Sequence, residues 1–206
     1  MIGIVGHINR ITMAQQLAGQ TGAEYVSIDD GTLGCNDNHR RVWQWHHDHP
    51  SEWAIVLEDD ALPINGFRTH ATAALATAPA PVVSFYLGRQ HPRLWQPHIQ
   101  QALQHATTAN APWITAPRTL HAVAYAIHTT VLKDLLTHHS DKPIDEAITA
   151  WQQHTSHLTA YTVPSLVDHT DGPTVINRRP SRKPGRTAWQ VGTPPHWTRT
   201  TVPLDS

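Results

Sequence analysis

A chain of 206 residues with a formal charge of −1 and 39% hydrophobic residues has material for one domain with a proper core, and no apolar run approaches the roughly 20 residues of a membrane span. The opening Met1-Ile2-Gly3-Ile4-Val5-Gly6 reads as a strand rather than a signal peptide. The single cysteine, Cys35, excludes an internal disulfide and any multi-cysteine zinc site, so a cytoplasmic protein is expected.

Hydrophobic periodicity predicts a strand over 2–8, a helix over 12–20 closed by Gly22, and a strand over 24–28 that runs into the turn Asp29-Asp30-Gly31. A helix over about 36–48, capped by Asn36 or Asp37, precedes a strand over 53–57 and a helix over 65–77. Next come a strand over 81–88, a partly helical stretch at 92–108, and short strands at 113–114 and 122–127. A helix over 129–138, another from Pro143 to about Gln153 and a strand over 158–163 complete the pattern, and beyond Pro164 the chain reads as irregular. Alternating strands and helices predict an α/β fold: a Rossmann-type, mostly parallel sheet covered by helices, with ligands beyond the carboxyl ends of its strands.

Charge is unevenly spread. Residues 178–206 carry a net +5 and the other 177 residues a net −6. Five of the cations fall in Arg178-Arg179-Pro180-Ser181-Arg182-Lys183-Pro184-Gly185-Arg186, where proline and glycine forbid a helix. Residues 171–206 therefore read as a basic, Pro-rich arm, suited to a phosphate-rich partner such as DNA or to keeping the chain in solution. Histidine is abundant, with 17 residues and a dense cluster at Trp45-His46-His47-Asp48-His49. On a helix these side chains fan about 100° apart and cannot converge on one ion.

The strand at 53–57 drives directly into Glu58-Asp59-Asp60, followed by Pro63. Three adjacent carboxylates repel one another unless a cation joins them. In an extended chain Glu58 and Asp60 project to one side and Asp59 to the other. Hard oxygen ligands with open positions suit Mg²⁺ or Mn²⁺ carrying a substrate's phosphates. No phosphate loop and no Gly-x-Ser-x-Gly elbow is present, which argues against a dinucleotide dehydrogenase and a serine hydrolase.

Gly34-Cys35-Asn36-Asp37-Asn38-His39-Arg40-Arg41-Val42-Trp43, followed by Val56-Leu57-Glu58-Asp59-Asp60-Ala61-Leu62-Pro63, resembles glycosyltransferase family 25, which includes lipooligosaccharide and collagen galactosyltransferases. Weaker likenesses continue at Ile8-Asn9-Arg10, Ala124-Tyr125-Ala126-Ile127, Lys142-Pro143-Ile144-Asp145 and Pro164-Ser165-Leu166-Val167-Asp168-His169, so residues 2–170 are covered. The resemblance implies a GT-A-like catalytic domain over residues 1–170 and a nucleotide-sugar donor, above all a UDP-sugar. Mn²⁺ or Mg²⁺ would be held by Asp60, Glu58 and His169, with Glu58 also suited to the ribose. Asp145 would be the base of an inverting transfer, with Glu146 as its neighbouring substitute. Ile8, Asn9, Arg10, Asp29, Asp30, Arg40, Glu58 and Asp59 would face the donor, with His39 on the same entering helix. Tyr86, Gly88 and Trp95 would face the acceptor, a saccharide or a hydroxylated base in DNA reached through 178–186. Trp95 and Trp113 can stack on a ring or simply pack. Two other classes compete: a metal-dependent phosphoesterase or nuclease, and a non-catalytic nucleic-acid-binding module on a transferase scaffold.

Overall fold

Two apolar runs near the N-terminus set the centre of the molecule. The computed structural model describes residues 1–49, 51–172 and 185–204. Strand β1 (Ile2–His7) is followed by helix α1 (Ile11–Thr21), which buries Ala14, Leu17 and Thr21 and ends at Gly22 with φ 64°. Only glycine adopts that left-handed turn without strain, so the helix stops there. Strand β2 (Tyr25–Asp29) lies parallel to β1, and helix α2 (Cys35–Asp48) then carries the chain to β3 (Trp53–Glu58) on the other side of β1. The sheet order thus reverses at β1. Beyond the carboxyl ends of β1 and β3 lies the crevice where such sheets bind ligands.

Side-chain alternation divides the two faces. Ile2, Ile4, Ile55 and Leu57 join α1 in one core, and Val5, Ala54 and Val56 join Val42 and Trp43 of α2 in another. Glu58 shares the parity of Ala54 and Val56, so it faces α2. A Cβ at position 3 would stand 2.5 Å from Val42 Cγ1, so Gly3 is what lets α2 close on the sheet. Buried Asn38 holds the start of α2 against the strand ends, donating to the Gly6 and Ser27 carbonyls at 2.9 and 3.3 Å.

The remaining elements are β4 (Ala61–Pro63), α3 (Phe67–Leu75), β5 (Val82–Ser84), α4 (Gln96–Ala109), β6 (Trp113–Ala116), β7 (Ala124–His128), α5 (Thr129–Thr137), α6 (Ile144–Thr155), β8 (Thr159–Thr162), β9 (Val167–His169) and β10 (Thr201–Pro203). Eight strands form one mixed sheet in the order β10-β6-β8-β5-β7-β3-β1-β2, and β4 with β9 form a separate two-stranded sheet. β7 runs antiparallel between β3 and β5, and β6 runs antiparallel to β8. The α/β class and the helix-flanked sheet agree with the sequence expectation.

Three boundaries differ from it. The strand predicted over 81–88 keeps only 82–84 in the sheet: Phe85 N–H still donates to Ala124 O of β7 at 3.0 Å, and from the Phe85 carbonyl onward the chain pairs elsewhere. Val167 N–H donates to Phe85 O at 3.1 Å, and Trp189 N–H donates to Leu87 O at 3.0 Å. Two strands, β9 and β10, lie where irregular chain is expected beyond Pro164. Residues 185–204 are no detached arm: Ala188, Val202 and Leu204 are buried and β10 forms the edge of the main sheet beside β6. Of the predicted basic segment, Arg178, Arg179, Arg182 and Lys183 lie outside the described residues. The Arg186 guanidinium donates to Gly172 O at 2.7 Å. No helix among the described residues is long and apolar enough to cross a membrane.

Candidate active site

The acidic triplet sits at the carboxyl end of β3, where the strand order reverses, and its three carboxylates have different partners. Asp59 accepts from His7 N–H at 2.8 Å and from Arg10 Nη1 at 3.0 Å. Burial, with the neighbouring Asp60 charge, raises the Asp59 pKa above the usual value, against the pull of those two donors. Asp60 receives the same Arg10 nitrogen at 2.5 Å and lies 3.4 Å from His169 Nε2. Glu58 turns to α2, where its Oε1 is 3.2 Å from His39 Nε2. Arg10 thus places one positive charge between Asp59 and Asp60.

His169 reaches Asp60 through the β4–β9 ladder. Ala61 is opposite His169 in that register, and Thr170 N–H donates to Asp60 O at 2.9 Å. Asp60 Oδ1 and His169 Nδ1 are both buried with no hydrogen-bond partner among the described residues. Leaving such atoms unmade is costly. A carboxylate suits Mn²⁺ or Mg²⁺ and an imidazole favours a transition ion, so the residues present fit Mn²⁺ better than Mg²⁺. Such an ion would compete with Arg10 for Asp60. Glu58 does not complete a tight set with Asp60 and His169. Among the described residues, the one group of three ligand atoms lying within 4.8 Å of one another is Cys35, His39 and Glu58.

A buried chain of hydrogen bonds orients Glu58. Trp43 Nε1 donates to the Tyr125 hydroxyl at 2.8 Å, and His39 Nδ1 lies 2.9 Å from the same oxygen. Burial opposes a charge on His39, but Tyr125, Cys35 and Glu58 outweigh it and its pKa rises well above normal. Glu58 moves down despite burial, held by His39, with His169 and Arg10 contributing. The two shifts describe an imidazolium–carboxylate pair. Sequence reasoning puts His39 on the helix entering the site but gives Trp43 and Tyr125, which stand within the quoted motifs, no role there. Parity puts Tyr125 on the α2 face, yet nothing in the sequence identifies its partners.

Asp145 opens α6. Asn36 Nδ2 donates to Lys142 O at 2.6 Å, tying the starts of α2 and α6 together. Burial, reinforced by the charges of Glu58 and Glu146, raises the Asp145 pKa to about 6. It lines a cleft of about 220 Å³ with Trp95, Arg118, Lys142, Thr149 and Gln153. The Arg118 guanidinium lies 4.0 Å above the centre of the Trp95 ring. Arg118 and Lys142 carry no signal in a single sequence that would set them apart from surface cations.

The other candidates divide. Ile8 and Asn9 are exposed on a 3₁₀ turn after β1. Asp29 accepts from Gly31, Leu33 and Gly34 N–H at 2.8, 3.0 and 3.0 Å, so its carboxylate is committed to the loop before α2. Asp30 is exposed and binds Thr32 Oγ1 at 2.6 Å. Arg40 is a correction: its guanidinium donates to Leu136 and His138 carbonyls at 2.5 and 3.1 Å, closing the end of α5 instead of facing a diphosphate. Tyr86 donates to Arg186 O at 3.0 Å, and its ring stands 6.1 Å from that of His169. Gly88 N–H donates to His121 Nε2 at 3.2 Å; desolvation, with the nearby His169 and His91, lowers the pKa of that imidazole to about 3. Trp113 is wholly buried with its Nε1 donating to Thr198 O at 2.9 Å, a core residue and no stacking platform. In the histidine cluster His46 is buried and bonds Ile55 O at 3.1 Å, while Trp45 stacks on Tyr25 and His49. No protein-family model matches the chain, and no curated protein matches it.

Proposed function

We propose that the protein is a metal-dependent glycosyltransferase, similar to family 25 and of GT-A type, that moves a sugar from a nucleotide-sugar donor, above all a UDP-sugar, to an acceptor hydroxyl with inversion. The observation that carries this reading is the approach of His169 Nε2 to Asp60 Oδ2, 3.4 Å apart, at the switch in strand order. Bound Mn²⁺ or Mg²⁺ supplies charge neutralisation for the diphosphate leaving group. Asp60 and His169 would hold it, and Glu58, fixed by His39, would stand beside the ribose.

Asp145 supports the acceptor half of the reaction. A carboxyl whose pKa is raised to about 6 is ionised at neutral pH yet basic enough to take a hydroxyl proton. The Trp95–Arg118 platform in the same cleft offers a flat face to the acceptor, either a sugar ring or a base. Asp29, Arg40 and Trp113 drop out of the ligand-binding set, because the loop, the α5 carbonyls and the core already occupy them.

Thermal stability in a panel of nucleotide sugars, with and without Mn²⁺, tests the reading. One nucleotide class should stabilise the protein only when Mn²⁺ is present, and Asp60→Asn should lose that response. The reading fails if no nucleotide sugar shifts the transition, or if Asp60→Asn responds as the parent does.

A further inference from the structure

We propose that Cys35, His39 and Glu58 form a second cation site, selective for a soft divalent ion of the Zn²⁺ type and separate from the Asp60–His169 pair. The inference does not rest on the transferase reading. Three lines of geometry lead to it.

First, Cys35 Sγ, a His39 ring nitrogen and a Glu58 oxygen all lie within 4.8 Å of one another, and His39 Nε2 to Glu58 Oε1 is 3.2 Å. Tetrahedral zinc has bonds of about 2.0–2.3 Å, which place its ligand atoms roughly 3.3–3.7 Å apart. Two of the three ligands therefore already stand at a coordination edge. The third needs an approach of at most about 1 Å, which a χ1 adjustment of an exposed side chain at the first position of α2 can supply.

Second, Cys35 and His39 are one helical turn apart, on one face of α2, and β3 delivers Glu58 to that face. Third, the far side of the imidazole is already fixed as zinc-binding histidines require. His39 Nδ1 meets the Tyr125 hydroxyl at 2.9 Å, and that oxygen is held by Trp43 Nε1 at 2.8 Å. This arrangement presents Nε2 to the ion. On binding, the Cys35 thiol and the His39 imidazolium each release a proton to solvent, and the resulting thiolate and Glu58 carboxylate balance the two positive charges of the ion. Exposure at Cys35 leaves the fourth position to water. The sulfur ligand separates this site from Asp60 and His169, whose oxygen and nitrogen donors suit harder ions.

Cobalt(II) provides the test, because a thiolate ligand gives a charge-transfer absorption and Cys35 is the chain's single cysteine. The many histidines bind cobalt without that band. Titration of the full chain should give the band with a stoichiometry of one, and Zn²⁺ should displace it. Zn²⁺ should also protect Cys35 from a thiol reagent. Cys35→Ser should abolish the band and lower Zn²⁺ affinity at least tenfold, Glu58→Gln should lower it by a similar factor, and Asp60→Asn should leave it unchanged. The proposal is overturned if the folded parent gives no charge-transfer band, or if Cys35→Ser or Glu58→Gln binds Zn²⁺ as the parent does. Loss of the band in Asp60→Asn would overturn the separation of the two sites.

Discussion

Arg10 holds the acidic strand end together by donating from one nitrogen to both Asp59 and Asp60. Removing one partner of a buried ion pair costs about 3–5 kcal/mol, because the remaining charge is left uncompensated. Arg10→Gln should therefore destabilise the metal-free protein by about that amount, and Mn²⁺ should restore more stability to the variant than to the parent. Denaturant unfolding with and without Mn²⁺ reads both effects. At the start of α6, Asp145→Asn should lower the proposed transfer by roughly 10²–10⁴-fold with donor binding retained. In the parent, activity should climb with pH through an apparent pKa of about 6, since only the ionised carboxyl accepts a proton. The sequence makes the acids legible because an apolar strand ends in three of them. It does not make the partners of the arginines legible. Arg40 is bound to carbonyls at positions 136 and 138, on a helix far along the chain, and no local pattern records that.

Elements with strong periodicity follow the sequence closely, as α1, α2 and β1 do. β4 and β9 have three residues each, too few to show a period of two, and they exist only because they pair with one another. β5 is shorter than its apolar run because, after Phe85 N–H makes a last bond to Ala124 O, the Phe85 carbonyl and residues 87–88 find partners at 165–167 and 188–189. Apolar residues there mark burial, and burial alone does not say which ladder the backbone joins. The contact of α2 with β7 depends on Tyr125, which collects both the Trp43 N–H and the His39 ring. Tyr125→Phe keeps the ring and removes the oxygen, so two buried polar groups lose their partner. A cost of about 1–3 kcal/mol is expected from chemical denaturation, with looser placement of Glu58 appearing as weaker donor binding.

Across the whole molecule, acid stability is set by opposing groups. His46 is buried against Ile55 O, and desolvation lowers its pKa from 6.5 to about 4. The native state then holds fewer protons than the unfolded state between those values, so this contribution is present above pH 6.5 and lost as pH falls toward 4. Asp145 acts in the other direction: its folded pKa is raised from 3.8 to about 6, so stability falls as pH rises across that interval. Melting temperatures between pH 4 and 7.5 should show a shallower acid decline in His46→Gln and a gain at neutral pH in Asp145→Asn. The C-terminal edge is tested separately. Val202 is 8% exposed on β10, and Val202→Asp places an unpaired carboxylate against the cluster of Leu87, Ile99, Leu103 and Ile114, costing a few kcal/mol in denaturant unfolding.

The β4–β9 ladder also dictates an order of assembly. Asp60 emerges early in synthesis, but Thr170, which clamps its carbonyl, follows 110 residues later. A ribosome adding about 5–20 residues per second leaves that acid without its histidine for roughly five to twenty seconds. Throughout that interval the nascent chain carries Arg10 and the acids, but not the ligand pair. The proposed cation pair therefore cannot assemble until residue 169 has left the ribosome, and a fragment released before His169 would carry the acidic motif without its histidine.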